Sequence, residues 1–149
     1  PRQLKEATAS VGKALSLDPD TGIASATLGD ISYVQGEYQQ ALDYYRKEPN
    51  ALLRLKGLAI ASARLDKRPA AQKAMKEMIT EYGDNSLYQK AEILAQWGQT
   101  EEALDALEKA KLIGDAGLVL ARNDPQLAPL HGEERFKALL LSLGFTLPQ

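Results

Sequence analysis

His131 is the only histidine of the chain and stands in the stretch "PLHGEE", between Pro129 and Gly132. Imidazole is the side chain best suited to moving a proton near neutral pH, so the first question is what it could act with. No cysteine occurs in the sequence, which removes thiolate nucleophiles, disulfides and Cys-based metal sites together. A Ser–His–Asp set is recognised by geometry rather than by position, so the sequence leaves a serine partner open. A lone histidine in a loop flanked by proline and glycine is ordinarily a surface or packing residue. One histidine among scattered carboxylates has no ligand spacing for a metal, and neither a phosphate loop nor a G-x-G-x-x-G turn is present. The acid pairs Glu101-Glu102 and Glu133-Glu134 fall near expected helix starts, where negative charge suits the helix dipole. The chain therefore reads as no enzyme, with no catalytic, cofactor-binding or metal-ligating residues and no cofactor.

The aromatic residues point to packing first. Trp97 ends a helical pattern just before Gly98, and Tyr45 falls on an apolar stripe, while Tyr44 turns its ring outside. Composition agrees with a helical protein that buries a core: 44% hydrophobic, 26% charged and only 6% aromatic residues, with Ala and Leu dominant. A formal net charge of −2 gives no electrostatic reason to expect nucleic acid or an anionic membrane surface. No apolar run approaches the roughly 18 residues of a spanning helix, so no membrane insertion is expected. The absence of cysteine suits a reducing compartment, and the cytoplasm is the expected location. Because the sequence opens on Pro1, it is expected to be a processed product or a piece of a longer chain.

The elements that must position these residues recur. "GEYQQALDYYRKEPN" (36–50), "KRPAAQKAMKEM" (67–78) and "GQTEEALDALEKA" (98–110) share a polar opening, an alanine, and large residues three to four positions apart. Ala7, Ala41, Ala71 and Ala103 lie 34, 30 and 32 residues apart. One helical turn beyond each stands Val11, Tyr45, Met75 or Leu107, on the same face. Three further on come Ala14, Glu48, Met78 and Ala110, among which Glu48 breaks the pattern. A second helix precedes each complete unit, over 24–36, 52–66 and 86–99. Small Gly29 is expected opposite the alanine of the helix that follows it. Small residues at fixed places let helices approach closely, and the large ones fill the grooves between. One such pair cannot bury its own apolar face, so pairs must stack. An ordinary Ala/Leu-rich bundle would share the stripes, but not the small residues at matching offsets.

The segment "LGDISYVQGEYQQALDYYRKEP" (28–49) resembles the tetratricopeptide repeat, through Leu28-Gly29, Gly36, Tyr38, Ala41 and Tyr45. Residues 85–116 resemble it through Ala91, Gly98, Ala103, Leu107 and Ala110. Residues 53–82 do so more loosely, with Asp66 where a turn glycine belongs. The resemblance implies an all-α fold, a TPR-like α-solenoid of antiparallel helix pairs, in a single domain over 1–149. Repeats then occupy 23–50, 53–82 and 85–112. Residues 2–19 are the second helix of a truncated repeat, and 115–149 form a capping tail. In that tail Asp115 is expected to cap a short helix through Ala121, Asn123-Asp124-Pro125 to break it, and "EERFKALLLSLGF" to form one more amphipathic helix. Phe136, Leu139, Leu140 and Leu143 of that helix should pack inward.

The resemblance also implies a function. First helices of successive repeats line a concave groove, which here would show Asp30, Tyr33 and Val34; Leu53, Lys56, Ile60 and Arg64; and Tyr88, Glu92 and Gln96. Apolar and aromatic residues beside charges of both signs suit an extended peptide or a helix. The expected partner is a protein or peptide, either separate or another domain of the same chain. The carboxylate-holding set of co-chaperone domains is not matched, because Asp30 would repel a carboxylate. The tail, through Asp124-Pro125, Leu127, Pro129-Leu130, Arg135-Phe136 and Leu139-Leu140, resembles the closing segment of bacterial proteins in which such repeats follow a signalling or DNA-binding domain. A regulatory module of a larger bacterial protein is thus the leading expectation. A stand-alone scaffold or secretion-type chaperone, and a fragment of an enzyme whose active site lies upstream, stay open.

Overall fold

The computed structural model describes residues 23–147 together with Lys5, Glu6, Ala9, Ser10 and Lys13, and its regular structure there is entirely helical. Those five early residues are helical; the rest of the helix expected over 2–19 lies outside the described residues. The α-helices are α1 (Ala24–Val34), α2 (Tyr38–Arg46), α3 (Ala51–Arg64), α4 (Arg68–Tyr82), α5 (Leu87–Gln96), α6 (Thr100–Ile113) and α7 (Glu134–Ser142). Short 3-10 turns occupy Gly83–Ser86, Ala116–Leu120 and Pro125–Leu130.

The repetition seen in the sequence is written into how the helices stop. At the ends of α1, α3 and α5 one residue takes the left-handed conformation: Gly36 (φ 81°), Asp66 (φ 56°) and Gly98 (φ 79°). The next amide then reaches back five residues, Glu37 to Ser32, Lys67 to Ser62 and Gln99 to Leu94, each at 2.9 Å. This closure satisfies carbonyls that a helix end would otherwise leave unpaired. Aspartate tolerates the left-handed region better than most residues, so the turn without a glycine adopts the same geometry.

Two compact units make up the chain, Pro1–Met78 and Ile79–Gln149, with the boundary inside α4. In the first unit α1 packs on α2, α2 on α3, and α1 also meets α3. The centre of this packing is Tyr45, fully buried. A Cβ placed on Gly29 of α1 or on Gly57 of α3 would run into its ring, so the ring is held between two helix backbones. The alanine expected opposite Gly29 gives way to this tyrosine. Ala41, Leu42, Ala59 and Ile60 fill the space around it with no exposed surface to speak of. Glu48, the residue that broke the pattern, is buried; its Oε2 accepts from the Ala26 amide at 2.7 Å and its Oε1 from the Asn50 amide at 2.9 Å. It therefore supplies the acceptor that the first turn of α1 lacks, since Ile23 has no capping side chain.

In the second unit α5 packs on α6, the Pro125–Leu130 turn lies on α5, and α6 meets α7. Asp115 caps as expected, accepting from the Gly117 amide at 2.8 Å, but what it opens is a five-residue 3-10 turn rather than an α-helix. Asp124 repeats the device nine residues later on the Gln126 amide at 2.8 Å, so the expected break is a second such turn, with Pro129 inside it. Caps and prolines this close together leave no room for α-helical hydrogen bonding. Phe136, Leu139 and Leu140 are buried as expected and Leu143 is half-buried. On the other side of α7, Arg135 binds Glu101 and Asp105 at 2.7 Å and both oxygens of Glu108 at 2.9 and 3.0 Å. One guanidinium thus gathers three acids spaced along one face of α6.

The ring between two glycines carries a prediction. Helix propensity alone would make Gly57→Ala stabilising by about 1 kcal/mol. The new methyl meets the base of a fully buried ring that cannot swing aside, so overpacking should win, with a net loss of about 1–3 kcal/mol. The midpoint of urea unfolding measures it, and a stabilised variant would contradict the packing.

Candidate partner-binding faces

The first unit brings four of the expected groove residues together across α1 and α3. Lys56 Nζ donates to Asp30 Oδ1 at 3.1 Å, and the Tyr45 hydroxyl donates to the same oxygen at 2.6 Å. Lys56 is only 3% exposed, while the Asp30 carboxylate stays about one-third open to water. One helical stretch further along, Arg64 Nε donates to the Tyr33 hydroxyl at 2.9 Å. The Arg64 guanidinium stands 5.8 Å from the ring centres of both Tyr33 and Tyr38. Those rings meet edge to face at 5.2 Å, an arrangement the ring quadrupoles favour. Burial raises the Tyr33 phenol above its usual range, against the lowering effect of Arg64. Val34 is half exposed, Leu53 half-buried and Ile60 fully buried.

The second unit treats its expected groove residues differently. Tyr88 is 2% exposed, and its ring lies where a Cβ on Gly117 would have to go. Its hydroxyl donates to Asp124 Oδ2 at 2.7 Å, and its amide donates to Asp115 Oδ2 at 3.3 Å. Gln96 Nε2 donates to the Gln126 carbonyl at 2.7 Å, and Glu92 is buried. The chain's own tail covers this face of α5. A foreign segment could reach Tyr88 only by displacing it. Burial, then the neighbouring Asp124, drives the Tyr88 phenol far above the usual tyrosine range.

His131 is exposed in its loop, with its ring stacked on Phe136 at 5.7 Å. Among the described residues no group of three or more His, Asp or Glu could hold a metal, and no helix is long and apolar enough to cross a membrane. Sequence reasoning marks Asp115 as a cap, Asp124 as part of a break and Glu48 as an exception, but not their bonds to Tyr88 and Ala26. Their only signal was an acid just after a helix, next to Pro49, Gly114 or Pro125.

Family comparison then bears on the segment from the end of the first 3-10 turn through α6. Residues 84–113 match the tetratricopeptide repeat. No curated protein and no solved structure matches the chain. The matched segment holds the α5–α6 pair and its Gly98 turn, and repeats of this kind bind protein partners. Outside the matched span, the turns at Gly36 and Asp66 close with the same backbone geometry as the Gly98 turn.

Two outcomes follow for the covered face. Asp124→Ala removes both the cap of the 125–130 turn and the acceptor of Tyr88, and should cost about 1–3 kcal/mol. Amide hydrogen exchange should then quicken in residues 125–130 before it does in α6. The phenol gives a pH signature as well. Its pKa in the folded chain is raised, so the unfolded chain loses the proton first, and stability falls as pH rises past about 10. Unfolding midpoints between about pH 9 and about pH 11 should drop less steeply in Tyr88→Phe than in the unsubstituted chain.

Proposed function

We propose that this chain is a non-catalytic protein-interaction module that takes an extended peptide or a short helix along α1 and α3. The observation that carries the reading is the Tyr33–Tyr38–Arg64 cluster beside exposed Val34. It offers a rigid aromatic body reaching the surface at Tyr38, an exposed cation and an apolar side chain across α1, α2 and α3, the combination that anchors peptides. The preferred partner has an acidic group for Arg64 and an apolar side chain for Val34 and Leu53. Asp30 and Lys56 neutralise each other and set the floor of the site. Over α5 the tail sits where a partner segment would otherwise lie, so Tyr88, Glu92 and Gln96 contribute to partner binding only when it moves. The three repeats and the tail work as one domain, cytoplasmic, within a larger bacterial signalling or transcription-regulatory protein. The tail residues Asp124-Pro125, Pro129-Leu130 and Arg135-Phe136 support that last part.

A photo-crosslinking residue at Val34, compared with one at exposed Lys73 of α4, tests the face. The partner should be captured from Val34 and not from Lys73, and Arg64→Ala should weaken binding about tenfold with little change in unfolding midpoint. Equal capture from both positions would move the site elsewhere. The mass of the endogenous polypeptide ending in "LGFTLPQ" tests the larger protein: several times this chain's size supports it, and a mass close to it leaves a free-standing scaffold.

A further inference from the structure

The second unit holds a cavity of about 310 Å³ bounded by Arg122, His131, Phe136, Lys137, Leu140 and Leu147, away from the face of α5 that the tail covers. Its floor is apolar: Phe136 is fully buried and Leu140 nearly so. The His131 ring lies almost parallel to Phe136, 17° between planes, and makes a flat wall beside it. Its charged residues are both cations, and no carboxylate lines it. The Arg122 guanidinium, half-buried, makes no hydrogen bond or ion pair among the described residues. Lys137 donates to Glu134 at 2.6 Å in an exposed i,i+3 pair, the kind worth little in water and easily exchanged.

A half-buried arginine normally finds a carboxylate, because its planar fork matches one in two parallel hydrogen bonds. Here that position is left to a molecule from outside. From these features we infer that the cavity binds a small organic acid with a flat apolar body. Its carboxylate pairs with Arg122 and Lys137, and its body lies on Phe136 and Leu140 against the His131 ring. The volume lies at the small end of ligand sites, which suits an aromatic or unsaturated acid of a dozen or so heavy atoms. The inference is independent of the proposed peptide face, since no residue is shared between them.

The probe is 3-phenylpropionate, titrated calorimetrically into the 149-residue chain alongside its neutral amide and inorganic phosphate. The acid should saturate with a dissociation constant near about 1 mM, and the amide should bind about tenfold more weakly. Arg122→Gln should bring the acid down to the level of the amide and leave amide binding unchanged. If that variant fails to unfold cooperatively, Lys137→Gln carries the same comparison, with a loss of about threefold for the acid alone. Equal affinity for acid and amide, no saturation by about 10 mM, or acid binding unaltered in a folded variant would overturn the site. Phosphate binding as tightly as the acid would overturn the apolar half of it.

Discussion

A tyrosine ring in a space bounded by two helix backbones sets the terms for the first unit. Tyr45 lies between Gly29 and Gly57, so α1 and α3 can stand no further apart than the thickness of one aromatic ring and its contacts. Close packing of this sort tolerates neither a methyl group nor a gap. Burial of the ring carries its hydroxyl inward as well, and a buried hydroxyl needs a partner. Asp30 supplies it, and the buried ammonium of Lys56 on α3, which needs an anion, takes the same carboxylate oxygen. The polar residues on this face thus follow from the aromatic packing beneath it.

The second unit reaches a similar solution with different parts. Tyr88 is buried against Gly117 and gives its hydroxyl to Asp124. The glycine comes from a 3-10 turn and the acid from the residue before another. In each unit a carboxylate just past a helix accepts from the first turn of an earlier one: Glu48 from Ala26, and Asp115 from Tyr88. Neither α1 nor α5 has a capping side chain at its own start. An acceptor from elsewhere in the chain meets the same need and ties distant segments together while doing so.

These particulars separate what the sequence discloses from what it does not. Spacing of Ala41, Ala71 and Ala103 discloses the helix pairs, because a repeated packing constraint leaves a repeated pattern of small residues. The turn at Asp66 was legible by position alone, even without a glycine. The inward face of α7 was legible from Phe136, Leu139 and Leu140. Periodicity reports which residues share a helix face, and it is silent on what covers that face. Tyr33 and Tyr88 are both buried, Tyr33 beside Tyr38 and Arg64 and Tyr88 beneath a turn made by residues 125–130. That turn has no helical period to betray it; its prolines and aspartates read as a break. Glu48 was visible only as an exception, and its reason lies 22 residues away in space-filling terms no local pattern carries.

The distribution of charge over α1 and α3 decides which residues can still do work at the surface. A partner carboxylate that took Lys56 would have to draw it from Asp30, and the ammonium it would reach for is itself buried. Breaking such a pair by removing one side is costly in a way that making it is not rewarding. Arg64 stands in a different position: it is exposed, and its Nε donates at 2.9 Å to the Tyr33 phenol, which is uncharged at neutral pH. The aromatic pair helps to fix where its guanidinium sits. In the proposed reading an acidic ligand finds Arg64 already oriented, whereas Asp30, Lys56 and the Tyr45 ring tie α1 to α3.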